Sequence, residues 1–119
     1  MRILIIAAAA AALVGCATQQ EIQNAQEMTD REPRAAFQTS RSTDEVLDCV
    51  MTGVRAVSKS GHAVSSRIEG DGHVVWVTAL ANPVLSVVIQ PAGDGASVEY
   101  RSRFKAGSGN YTAAILSCR

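Results

Sequence analysis

The stretch that decides the fold runs from His62 to Phe104 and reads HAVSSRIEGDGHVVWVTALANPVLSVVIQPAGDGASVEYRSRF. Four runs rich in Val, Ile and aromatic residues are separated by short segments of Gly, Pro, Asn and Asp, which is typical of strands joined by turns. Because these connections are too short for crossover helices, neighbouring strands must run antiparallel. The stretch therefore predicts a four-stranded antiparallel meander with strands at 62–69, 73–80, 84–90 and 96–104.

One helix is predicted before this meander in the sequence, and one after it. Residues 42–45 read Ser-Thr-Asp-Glu and match a capping box, and apolar residues then recur at helical spacing up to about Lys59. After Asn110, apolar residues again recur at helical spacing up to Cys118. We therefore expect an α+β fold, a two-layer sandwich in the order αββββα with both helices on one face of the sheet.

Pairing the strands through their turns divides their side chains between two faces. One set is bulkier, and we expect it to form the core under the helices: Val64, Ile68, Val74, Trp76, Leu80, Val84, Val88, Val98, Tyr100 and Phe104. The other is an apolar stripe with a charged rim, the kind of surface that often binds a partner. Its proposed interaction residues are Val75, Val77, Leu85, Val87, Ile89, Arg101 and Arg103. Two alternatives stay open: the N-terminal segment covers the stripe, or a one-residue register error mixes the faces.

The chain begins with an apolar run of about a dozen residues after Arg2, which is too short to cross a bilayer as a helix. This run ends in Leu13-Val14-Gly15-Cys16, which resembles the lipobox of bacterial lipoproteins, where apolar residues and a small residue precede a cysteine. The resemblance implies a cleaved signal peptide, residues 1–15, and acyl chains on Cys16 that hold the protein on a membrane. The alternative is an ordinary signal peptide with an incidental cysteine.

The same resemblance implies a location and a layout of the mature chain. Ala17 rather than Asp follows Cys16, which in a Gram-negative host implies the periplasmic face of the outer membrane. Residues 16–41 are mostly polar, so we expect a lipidated N-terminus and a flexible tether there. A small periplasmic domain is then expected to occupy residues 42–119.

Lipidation accounts for one of the chain's three cysteines. Cys49 and Cys118 remain as a pair in a compartment that permits disulfides. We therefore predict a structural bridge between the two helices. The alternative, a reactive nucleophile or a metal thiolate, would need a nearby histidine.

Charge and the remaining polar residues favour a non-catalytic protein. The chain carries 11 basic and 11 acidic side chains, so it has no broad electrostatic reason to bind nucleic acid. In the predicted meander His73 lies opposite Glu69 and His62 opposite Leu80, more than ~20 Å apart, so the histidines cannot share a metal ion. The two Gly-Asp-Gly segments match turns rather than calcium or phosphate loops.

The sequence therefore predicts no catalytic residue, metal site or cofactor. We expect an interaction or assembly module that binds an envelope protein or a second copy of the chain. The alternative is a periplasmic small-ligand-binding or enzyme-inhibitory lipoprotein.

Overall fold

The computed structural model describes Met28 and residues 31–59, 61–80, 82–103 and 109–119. Residues 1–15, Cys16 and Phe104 lie outside the described residues. Within these ranges the chain forms one antiparallel sheet in the order β1-β5-β4-β3-β2, together with two helices. The strands are β1 (Ala35–Thr39), β2 (His62–Glu69), β3 (Gly72–Ala79), β4 (Asn82–Ala92) and β5 (Gly95–Ser102), and the helices are α1 (Thr43–Val57) and α2 (Gly109–Leu116). The α+β class and the meander from β2 to β5 are confirmed.

The sheet has one strand more than the sequence predicts. Ala35–Thr39 lies in the predicted tether, 16–41, yet it pairs with β5 from Ala35 opposite Tyr100 to Thr39 opposite Ala96. The prediction of a tether was wrong for these residues. Five residues of alternating character are too short a pattern to stand out in a polar segment, and the free edge of β5 supplies their hydrogen-bond partners.

Two-residue turns set the registers of both outer hairpins. Glu69 lies opposite Gly72, so the first turn is Gly70-Asp71, and Ala92 lies opposite Gly95, so the second is Gly93-Asp94. The φ angles of Gly70 and Gly93 are 61° and 54°, the left-handed conformation that the first central position of a type II′ turn requires. The strand limits predicted from the sequence leave turns of three residues, 70–72, and five residues, 91–95, so each predicted register was wrong by one residue.

This shift reverses which face of the two central strands, β3 and β4, joins the core, because successive side chains of a strand point to opposite faces. Tyr100 lies opposite Val87, and Val64 lies opposite Val77, so the large residues of the outer strands join the stripe on the central strands. This inner face packs against α1 and α2. The assignment of five apolar residues to an interaction face was wrong, because all five are fully buried: Val75, Val77, Leu85, Val87 and Ile89.

The two helices complete this core as the sequence predicts. Ser42 caps α1, where its Oγ accepts a hydrogen bond from the backbone N–H of Glu45 at 3.2 Å. The helices approach closely at Gly53, where an added Cβ would lie 3.3 Å from the Cβ of Ala114. The predicted disulfide between Cys49 and Cys118 is present. It joins α1 to the chain two residues after the end of α2.

Candidate functional site on the outer face of the sheet

The outer face of the sheet is the face that points away from α1 and α2. Its residues alternate with those of the core, and none of them belongs to the core cluster: Ser65, Arg67, Val74, Trp76, Ser86, Val88, Gln90, Ser97, Glu99 and Arg101. Trp76, the chain's one tryptophan, was assigned to the core from the sequence. That assignment was wrong for the same register reason.

A neighbouring cation holds the ring of Trp76. The guanidinium carbon of Arg67 lies 5.7 Å from the ring centroid. In the register Arg67 lies opposite Val74, so it reaches Trp76 along the diagonal of the β2–β3 pair. A cation over an indole face is attracted by the ring's negative quadrupole. Trp76 is thus a large, partly buried aromatic surface whose orientation is already set.

Trp76, Ser86 and Arg101 form a row across three strands. Trp76 lies opposite Ser86, and Ser86 lies opposite Arg101, which puts the outer two about 10 Å apart at the usual strand spacing. Ser86 is only 3% exposed. Its small side chain lies between Trp76 and Arg101 on the two neighbouring strands.

Arg101 makes two polar contacts at its end of this row. Its guanidinium lies 2.9 Å from the carboxylate of Glu99, and its side chain is 14% exposed. Its Nε donates a hydrogen bond to the carbonyl oxygen of Arg31 at 2.8 Å. The backbone that precedes β1 therefore meets the outer face here.

The structure divides the interaction residues that the sequence proposed. The five apolar ones lie in the core, and Arg101 lies on the opposite face beside Trp76. Arg103 follows β5, is partly buried, and its backbone N–H donates to the carbonyl of Val84 at 2.9 Å. Two Gly-Asp dipeptides were the signal that could have located the outer face, because such dipeptides suit two-residue hairpin turns.

His62 belongs to a hydrogen-bonded chain that ties three elements together. The hydroxyl of Tyr111 donates to Ser58 Oγ at 3.3 Å, and Ser58 donates to the carbonyl of Val54 at 2.7 Å. Because Tyr111 has one hydroxyl hydrogen, Nδ1 of His62, 3.0 Å away, must supply the hydrogen between them. Ser58 gives its own hydrogen to a backbone carbonyl, so this chain orders α1, β2 and α2 and puts no base on the serine hydroxyl.

His73 has a different partner from the one that the sequence suggested. Its Nε2 lies 3.1 Å from the carboxylate of Asp44 in the first turn of α1, whereas Glu69 contacts Arg67 at 3.4 Å. The pair joins the start of α1 to β3. Among the described residues, no group of three or more His, Cys, Asp or Glu side chains is arranged to hold a metal ion.

No family model, curated protein or solved structure matches the chain. Within the part of the chain that the structure describes, no helix has the length and apolar character needed to cross a membrane. The outer face and the N-terminal motif are therefore the features from which a function can be argued.

Proposed function

We propose that this chain is a lipid-anchored protein of the bacterial cell envelope whose domain binds another envelope protein through its outer face. The lipobox-like Leu13-Val14-Gly15-Cys16 supports the anchor. The bridge between the other two cysteines supports it as well, because it leaves Cys16 as the thiol available for acylation. The binding role depends on one observation: Trp76 lies under Arg67 on the face that α1 and α2 do not cover.

The chemistry of this face matches that of protein interfaces. Tryptophan and arginine are enriched among the residues that contribute most to binding, and they act from positions surrounded by polar groups. Arg67 and Glu99 supply such a rim, since their side chains are 61% and 49% exposed. Because Arg67 already orients the ring, binding loses little side-chain entropy at Trp76.

The size of the face indicates a weak complex in free solution. Five strands ~4.8 Å apart, with about 3.3 Å per residue along strands of eight residues, cover roughly 20 by 26 Å. That is about 500 Å², below the ~800 Å² per partner of a standard interface. A lipid anchor would offset this, because confinement near one membrane raises the effective concentration of both partners.

The small-ligand alternative has less support among the described residues. An open depression of about 260 Å³ lies on the β1–β5 pair and is lined by Ala36, Phe37, Gln38, Ser97, Val98 and Glu99. Ligand pockets are usually larger, about 300–1,000 Å³, and enclose most of the ligand. Protein binding by the outer face is therefore the better-supported function.

Replacing the anchor should separate location from folding. In Cys16→Ser the acyl chains have no attachment site, so we expect the protein to leave the membrane pellet while its domain keeps the disulfide and its thermal transition. Fractionation of the envelope, with mass measurement of the Cys49–Cys118 bridge, checks this. A variant that stays in the membrane pellet would contradict the anchor, and one that lost the bridge would contradict the assignment of the cysteines.

Trp76→Ala should remove the partner. In the full-length protein, with a C-terminal tag and reversible cross-linking in cells, we expect recovery of cross-linked envelope proteins to fall about 30-fold, the effect of losing a strong interface residue. Arg67→Glu should act in the same direction without disturbing the fold, because Arg67 is largely exposed.

Leu80→Ala is the matched control for this experiment. Leu80 is 92% exposed and lies in the β3–β4 turn. Its substitution therefore removes an exposed apolar side chain at a position away from the outer face. We expect this variant to recover the same proteins as the wild type. The proposal fails if Trp76→Ala and Arg67→Glu also recover the full wild-type set.

A further inference from the structure

The centre of the outer face is more buried than the described helices can explain. Val74 and Ser86 are each 3% exposed, although α1 and α2 pack on the other side of the sheet. Ser86 is small and lies between Trp76 and Arg101. Val74, however, lies beside Arg67, whose side chain is 61% exposed and reaches over Trp76. Another part of the molecule must shield this face.

The chain that enters β1 lies at the edge of the same face. The carbonyl of Arg31 accepts the hydrogen bond from Arg101 Nε at 2.8 Å, and the N–H of Arg34 donates to the carbonyl of Tyr100 at 2.7 Å. Arg101, whose side chain binds Arg31, lies two strand spacings from Trp76, or roughly 10 Å.

Met28 identifies the apolar contact of this entering chain. It is fully buried, yet it is not a member of the core cluster under the helices. Its carbonyl accepts a hydrogen bond from the N–H of Arg31 at 3.3 Å, so the two residues are one turn apart. A methionine at 0% exposure outside the inner core must be buried against another surface.

We propose that the chain entering β1, through Met28 and the backbone of Arg31, occupies the outer face beside Trp76, so that a partner must displace it to bind there. The competition with a partner rests on the proposed function, whereas the contact of Met28 and Arg31 with the outer face does not. Cys16 lies fifteen residues before Arg31, a reach of at most about 50 Å when extended. The docked chain shortens that reach and holds the domain near its anchor, and displacement by a partner releases it.

Quenching of tryptophan fluorescence tests this contact directly, because Trp76 is the one tryptophan of the chain. In the full-length protein in detergent, Met28→Lys should place a charge where an apolar contact is needed and open the segment. We expect about a twofold rise in the acrylamide quenching constant and about tenfold faster trypsin cleavage after Arg31. Met28→Leu, which preserves an apolar side chain, should keep both wild-type values.

Arg101→Lys provides a second route to the same result, since it preserves the positive charge but removes the Nε–H that binds the carbonyl of Arg31. Arg55→Lys is its matched control, because Arg55 is exposed on α1. If Met28→Lys and Arg101→Lys both keep wild-type quenching and cleavage, the inference is wrong. If dilution of the wild type alone raises quenching, a second copy covers the face and the inference is equally wrong.

These readouts are independent of partner capture, so failure of this inference and failure of the proposed function are distinguishable. Unchanged quenching in Met28→Lys would contradict the docking of the segment. Unchanged recovery of partners by Trp76→Ala would contradict the role of the outer face as the binding surface. If both hold, Met28→Lys should raise the recovery of partners above that of the wild type.

Discussion

A lysine in place of Val87 should abolish cooperative folding, whereas a lysine in place of Val88, the next residue of β4, should leave the domain folded. Val87 is fully buried in the core under α1 and α2, and an unpaired ammonium there costs more than about 4 kcal/mol. That is most of the stability of a small domain, typically 5–15 kcal/mol.

Val88 points to the outer face and lies opposite Glu99. Glu99 is 49% exposed, so a lysine at position 88 can reach that carboxylate and the solvent around it across the strands. We therefore expect the free energy of unfolding to change by less than about 1 kcal/mol. Urea unfolding followed by Trp76 fluorescence measures both variants. The opposite ranking, with Val88→Lys unfolded and Val87→Lys stable, would show that the two faces have been exchanged.

Removal of the disulfide should have the next largest effect. Cys49 and Cys118 are 69 residues apart in the sequence, and closing a loop of that length stabilises a domain by roughly 4 kcal/mol through the entropy of the unfolded chain. The double variant Cys49→Ala/Cys118→Ala should therefore lose about that much stability. Alanine is the better replacement because Cys118 is fully buried, where a serine hydroxyl would need a partner.

Denaturant unfolding of the double variant beside the oxidised and the reduced wild type measures this loss. Reduction of the wild type should reproduce most of the effect, since it opens the same loop. Cys16→Ser is the matched control: it removes a thiol outside the domain and should leave the midpoint unchanged. A double variant as stable as the oxidised wild type would show that the bridge has no structural role.

Several elements were predictable because their signals are local. Ser42 and Glu45 placed the start of α1, and its apolar stripe identified the residues that pack on the sheet, since a helix repeats every 3.6 residues whatever surrounds it. The odd number of cysteines predicted the bridge once the lipobox-like motif claimed Cys16. The four strands of the meander were found because their turns and β-branched runs are also short-range features.

The candidate site was not predictable by the same reasoning. Trp76 and Val87 carry no local mark that separates surface from core, because both faces of β3 and β4 are apolar. Their assignment depended on whether the hairpin turns contain two residues. An error of one residue in register placed Trp76 in the core and Val87 on the exposed face, whereas Val98 and Tyr100 of β5 were assigned to the core correctly. Arg31 and Arg101, which form a hydrogen bond, are 70 residues apart in the sequence. No local sequence pattern can therefore reveal their contact.

By itself the sequence determined the type and order of the helices and of the four meander strands, and the motif at its N-terminus. These features depend on the spacing of apolar residues and on capping or turn residues, which all lie within a few positions of each other in the sequence. Only the tertiary structure decided that β1 joins β5, that Val87 faces the helices and that Trp76 does not. Strand partners and register are set by hydrogen bonds between distant segments, and with a side-chain period of two, a single residue of register exchanges the inside of the sheet for the outside.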